Sequence, residues 1–162
     1  IRTLEKLHND NIHLLIVGDG KEYNNLINLT KNLKLEKRIS FTGKINHNIA
    51  EQLYNKIHLS VFPRYKAKVT DLVSPLKPME AMINKIPVIL SDVNVTFEYI
   101  TNEVNGLIFK SNDIYDLMDK ILKIYNDKDL YDKISQNGYD WVVKNRNWNV
   151  LIDKLIGYYN NL

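Results

Sequence analysis

Leu59-Ser-Val-Phe62, then Arg64-Tyr-Lys-Ala-Lys-Val-Thr-Asp-Leu-Val-Ser-Pro-Leu-Lys-Pro-Met-Glu80, then Ile86-Pro-Val-Ile-Leu90 form an apolar run, a basic loop that turns into a helix start, and a second apolar run. Two short apolar runs on either side of a helix read as buried strands joined by a crossover. Ser74 is a good N-cap residue and Pro75 a good first helical residue, which predicts a helix from Pro75 to about Ile83. The first-turn amides of such a helix point back toward Arg64, Lys66 and Lys68, a pattern suited to a phosphorylated ligand. The plainer reading is an ordinary capped helix with a surface glutamate.

Outward from this stretch the same alternation continues. Ile12 to Val17 reads as a strand closed by Gly18-Asp19-Gly20, Glu22 to Leu33 as an amphipathic helix, and Arg38 to Thr42 as a strand stopped by Gly43. A helix from Asn48 to Lys56 leads into a strand from His58 to Phe62. Beyond the strand Ile86 to Leu90, a short helix around Val95 to Ile100 and a strand Leu107 to Phe109 add another unit. Helices over Asp113 to Tyr125, Leu130 to about Val143 and Trp148 to Tyr159 follow, with Asn147 as the expected cap of the last. Repeated β-then-α order requires crossovers, and so predicts an α/β, Rossmann-like, mostly parallel sheet with helices on both faces.

The 162 residues, 44% apolar, are expected to form one domain. The chain opens on a helix with no strand before it. A doubly wound sheet would place that strand centrally, so a piece of a longer protein is expected. No apolar run approaches the roughly 20 residues of a membrane-spanning helix. The absence of cysteine excludes a disulfide framework and thiolate metal sites, and a cytoplasmic location is the default expectation. A net charge of +3, with acids between the lysines, gives no indication of nucleic acid. His8, His13, His47 and His58 are scattered without ligand spacing, so no metal is expected. Ser60 and Ser91 lack the flanking glycines of a nucleophile elbow. Trp141, Trp148, Tyr158 and Tyr159 read as packing residues.

Within the central stretch, amides after Ser74 could receive a diphosphate, with Lys77 one turn in. Glu80, five residues past Pro75, could accept hydrogen bonds from ribose hydroxyls lying along the helix. Gly18-Asp19-Gly20 superficially resembles a dinucleotide-binding turn, but Tyr23 stands where the third glycine belongs, and no acid follows a next strand to hold a ribose. Nicotinamide binding is therefore not expected. The alternative at Gly18 and Gly20 is a tight strand-to-helix turn. Gly43 and Lys44 follow the second strand at the carboxyl edge, where open α/β sheets bind ligands; the alternative there is a plain loop. Arg64 and Lys68 suit phosphate oxygens, or stand as exposed bases.

Thr70-Asp-Leu-Val-Ser-Pro-Leu-Lys-Pro-Met-Glu-Ala-Met82 resembles the donor-site motif of family 4 glycosyltransferases of the GT-B fold. Leu14 to Gly20, Ile39 to Gly43, Ile86 to Asp92, Glu103 to Ile108 and Asn147-Trp148 resemble further blocks of that family in its order and spacing. The likeness covers nearly the whole chain, as the C-terminal, nucleotide-sugar-binding half of the fold. It implies transfer of a sugar from a nucleotide diphosphate sugar to a glycan or lipid-linked acceptor, with retention of configuration and no required metal. The implied partner is an N-terminal domain of the same protein, through which alone any contact with the inner face of the membrane would run. Implied donor-site residues are Gly18, Gly20, Gly43, Lys44, Arg64, Lys68, Val73, Ser74, Pro75, Leu76, Lys77 and Glu80, with the base against Gly43 and Lys44 and the ribose on Glu80.

The family places a second acid eight positions before the ribose acid, where this chain has Leu72. Asp71 stands one place earlier, as in a subgroup with an acid before Leu-Val, Thr or Ser, and Pro-Leu-Lys-Pro, and is its implied counterpart near the transferred sugar. Two rivals stay open: a regulatory or scaffold module that keeps the fold without catalysis, which Leu72 favours, and a sugar-nucleotide epimerase. Alone, the fragment is expected to bind and not to catalyse.

Overall fold

The computed structural model describes residues 1–160, with side chains throughout apart from those of 149–151, 153 and 154. Strands β1 (Leu14–Ile16), β2 (Ile39–Phe41), β3 (Ser60–Phe62), β4 (Val88–Ser91) and β5 (Leu107–Phe109) alternate with helices α1 (Arg2–Lys6), α2 (Tyr23–Asn32), α3 (His47–Tyr54), α4 (Lys68–Leu72) and α5 (Lys77–Ile83). A 3-10 helix (Asn94–Glu98) follows β4, and α6 (Ile114–Asn126), α7 (Lys128–Asn145) and α8 (Trp148–Tyr159) follow β5. All strand pairs are parallel, as the alternation requires.

The sheet is present as two groups, β1-β2 and β3-β4-β5, with no ladder between them. β1 and β3 are only half-buried along their length.

β4 is central in its group and buried at every position. Its alternate residues serve opposite faces. Val88 and Leu90 pack with Met79, Ala81 and Met82 of α5, Tyr99 and Val142, while Ile89 packs with Leu107, Phe109, Ile124 of α6 and Ile134 of α7. Helices thus cover both faces, as expected. β4 begins after Pro87, two residues later than its apolar run. Proline has no amide for the ladder, and Pro87 contributes only its carbonyl, to the Ser60 amide at 3.0 Å. Gly106 is required by packing: a Cβ there would meet Val88 and Ile100 side-chain carbons at 3.1 Å.

The β1-β2 group has its own apolar cluster, Leu4, Leu7, Leu35 and Ile39, which α6 joins through Met118 and Leu122. Arg38 locks the link between α1 and β1 by donating to the carbonyls of Leu7 (2.9 Å), Asn9 (2.8 Å) and Ile12 (3.3 Å). Trp141 packs as expected, 6.3 Å from the Tyr99 ring. Trp148, Tyr158 and Tyr159 do not: they are exposed, on a helix that meets the domain through α7. Asn147, the expected cap of α8, donates its side-chain amide to Val143 O at the end of α7.

Candidate functional site

The loop between β3 and α5 carries the largest share of the expected site residues, and its base is tied to the ends of the neighbouring strands. The Arg64 amide donates to Ser91 Oγ at 2.9 Å, and Ser111 Oγ donates to Arg64 O at 2.8 Å. Lys66 binds Asp92 Oδ2 at 2.7 Å, and the Ser111 amide donates to Asp92 Oδ1 at 2.7 Å. Partial burial opposes ionisation of Asp92, but the Lys66 bond, the Ser111 amide and the Lys66 charge together hold its carboxyl below the usual value. Of the three basic residues at the loop's start, Lys66 is therefore already paired.

The loop is not a plain connection. It contains α4, which the sequence reading did not anticipate. Thr70 builds its start: the Ala67 amide donates to Thr70 Oγ1 at 3.0 Å, and that hydroxyl donates to the carbonyls of Tyr65 and Ala67. Arg64 closes the loop by donating from Nη1 to Val73 O at 2.9 Å, so its guanidinium is spent partly on the loop itself.

Asp71, expected beside a sugar, turns toward the 3-10 helix. Its Oδ1 accepts from the Asn94 amide at 2.9 Å, satisfying a donor at that helix start. No second partner holds its other oxygen among the described residues.

Ser74 does not cap α5. The helix begins at Lys77, with Leu76 at the cap position and Pro78 as its second residue. The reason lies four residues on: an N-cap carbonyl accepts the first intrahelical bond, and for Ser74 that donor would be Pro78, which has none. The first bond into the helix from outside is instead Glu80 N to Leu76 O, at 3.0 Å. Ser74 Oγ is left buried with no partner. A buried unsatisfied hydroxyl costs about 1–3 kcal/mol, so its place in the fold calls for an explanation. The amides of Ser74, Leu76, Lys77 and Met79 likewise make no hydrogen bond among the described residues. Donors therefore collect between Val73 and Met79, with Pro75 supplying rigidity and the exposed Lys77 and Lys68 supplying positive charge that is unpaired among the described residues.

Glu80, in the first turn of α5, presents its carboxylate beside this collection. Tyr54 donates its hydroxyl to Glu80 Oε2 at 3.0 Å. Burial, then the bond to Glu80 and its charge, push the Tyr54 phenol up to about 12. Sequence reading missed Tyr54, which falls near the end of the helix expected from Asn48 to Lys56.

The loops after β1 and β2 form a second focus. Gly18 and Gly43 pair across them, the Gly18 amide donating to Gly43 O at 3.0 Å. Both have positive φ, 120° and 64°, a region that glycine enters without strain. Gly20 and Lys44 are exposed beside them. No direct hydrogen bond joins this focus to the Arg64–Glu80 loop among the described residues. Also among the described residues, no cluster of side chains could hold a metal ion, and no helix is long and apolar enough to cross a membrane.

Chemically, the arrangement offers donors for anionic oxygens next to a carboxylate acceptor for hydroxyl groups. Comparison with known proteins shows the family. The family model described as glycosyl transferases group 1 matches residues 1–141. The O-antigen chain mannosyltransferase RfbU of Salmonella typhimurium is 30% identical over 99 residues, covering 60% of this chain and 27% of its own length. The capsular polysaccharide biosynthesis glycosyltransferase CapM of Staphylococcus aureus is 25% identical over 150 residues, covering 93% of this chain and 38% of its own. The chain thus spans well under half the length of these curated relatives. Among solved structures, Anabaena HepE in complex with UDP superposes with a TM-score of 0.77 at 20% identity, over 99% of this chain and 44% of that one.

Proposed function

The chain belongs to the glycosyl transferases group 1 family, and from that premise we propose that it forms the donor-binding half of a glycosyltransferase. The whole protein passes a sugar from a nucleotide diphosphate sugar to a glycan or lipid-linked acceptor, with an N-terminal domain of the same protein completing the cleft. The observation that carries this reading is the buried Ser74 hydroxyl, without a partner among the described residues, beside free amides on the segment that leads into the first turn of α5, where Glu80 stands. A diphosphate satisfies the donors while its ribose reaches the carboxylate. The UDP held by HepE supports the same class of ligand.

The barrier in such a transfer is charge building on the departing diphosphate. Fixed donors aimed at that charge are each worth about 3 kcal/mol in comparable oxyanion sites. Here the donors are Ser74 Oγ, the amides of Ser74, Leu76 and Lys77, and the ammonium groups of Lys68 and Lys77. They carry charge without a metal. Arg64 shapes the loop through Val73 and adds positive charge at its base. Gly18, Gly20, Gly43 and Lys44 line the base end of the donor, and Asp71 offers its second carboxylate oxygen to the transferred sugar. Configuration is retained, and the protein works on the cytoplasmic side, at the membrane face when its acceptor is lipid-linked.

Full-length protein incubated with a panel of nucleotide sugars and a glycan or lipid-linked acceptor tests this. Release of free nucleoside diphosphate together with glycosylated acceptor is expected. An isomerised donor without transfer would mean an epimerase, and donor binding without turnover a regulatory module.

A further inference from the structure

Glu80 is exposed, yet one of its oxygens is fixed. Tyr54 ends α3, and its ring packs on the cluster that contains Met79 and Ala81, the residues flanking Glu80 on α5. From that anchor the hydroxyl reaches Glu80 Oε2 at 3.0 Å. Because the phenol is held protonated up to about 12, it is a donor at neutral pH. Glu80 Oε1 has no partner among the described residues. A carboxylate pinned at one oxygen presents the other along a single direction, and a ligand then loses less freedom in ordering it. Two adjacent ribose hydroxyls need such a directed acceptor.

We propose that Tyr54 is a positioning residue that aims the Glu80 carboxylate at the ribose cis-diol and so sets the preference for ribonucleoside over 2′-deoxyribonucleoside diphosphates. The inference rests on the donor-site reading above and goes beyond it by naming what orients the ribose acceptor. A residue serving packing alone would lower affinity for both sugars alike, or for neither.

The test is isothermal titration of the full-length protein with UDP, ADP and GDP and their 2′-deoxy forms, in wild type, Tyr54→Phe, Glu80→Ala and the double variant. Phenylalanine keeps the packed ring, and thermal unfolding of each variant verifies its fold. Wild type is expected to prefer the ribo form of its base, and Glu80→Ala to remove that preference. Tyr54→Phe should weaken the ribo form by about tenfold, the loss of one hydrogen bond to a charged group, while leaving the deoxy form unchanged. Adding Tyr54→Phe to Glu80→Ala should change nothing further. Full preference in Tyr54→Phe, with loss in Glu80→Ala, overturns the role of Tyr54 and leaves the ribose assignment standing. Preference retained in Glu80→Ala overturns that assignment as well, and wild type that binds none of the six nucleotides overturns the donor site.

Discussion

β4 and the loop that rises beside it from β3 share one rim of the sheet and are built in opposite ways. Leu90 is 1% exposed, whereas Tyr65 is 74% and Leu72 72% exposed. The strand is held by ladders on both edges and apolar packing on both faces. The loop is held by single polar bonds: Arg64 to Val73, Thr70 to Tyr65, Asp71 to Asn94. Burial fixes the strand whatever binds nearby, while the loop keeps its shape by a few bonds and keeps donors unspent. Stability and recognition should therefore separate by substitution.

The sharpest way to break that contrast is Leu90→Ala. Truncating a buried leucine typically costs about 2–5 kcal/mol, so the urea midpoint should fall by the largest amount of any change considered. A loss below about 1 kcal/mol would mean that β4 is not the centre of the core. Asp71→Ala comes next. It removes the acceptor for the Asn94 amide, and loss of such a cap costs about 1 kcal/mol. Proteolysis near α4 should quicken while the β4 amides keep their exchange protection, and equal loss of protection in both would erase the distinction.

A pH series sharpens it further. Tyr54 is raised from its ordinary 10.0 to about 12 in the folded protein, so its contribution is intact below pH 10 and is lost as pH rises through about 12. Unfolding free energy should fall across that window, less steeply in Tyr54→Phe. Burial also raises Tyr99 and Tyr131, so the slope is reduced and not abolished. An unchanged slope would place the Tyr54 hydroxyl in water. The smallest effect is a gain. Lys34 sits at φ 55° just past α2, where the Leu35 amide bonds Thr30 O and the Lys34 amide bonds Lys31 O. That closing turn favours glycine. Relief of the roughly 1–2 kcal/mol left-handed strain, set against glycine's entropic cost of roughly 0.5–1 kcal/mol, should let Lys34→Gly raise stability by about 0.5–1 kcal/mol with nucleotide affinity untouched.

The alternation of apolar runs and helical stretches was enough to read the parallel α/β fold, because buried strands and crossover helices leave distinct local periods. Leu107–Phe109 and Trp148–Tyr159 fall where the pattern puts them. Ser74 was misread as a cap although Pro78, four residues on, already denied it a partner. Other features had no local signal at all. Tyr54 meets Glu80 across 26 positions and Asp71 meets the Asn94 amide across 23, so only the packing of Tyr54 against the apolar residues of α5 and of α4 on the 3-10 helix brings them together. α4 itself is five residues long, too short for a periodic signature, and depends on the Thr70 hydroxyl. The separation of β1-β2 from β3-β4-β5 is likewise a matter of pairing, which apolar runs alone do not specify.

Backbone amide chemical shifts during titration with a nucleoside diphosphate report directly whether the Ser74–Met79 donors receive the ligand. Large shifts are expected at Ser74, Leu76, Lys77 and Met79, with the amides of Val88, Ile89 and Leu90 unmoved. Saturable binding that leaves the Ser74–Met79 amides in place and shifts another surface would contradict that expectation.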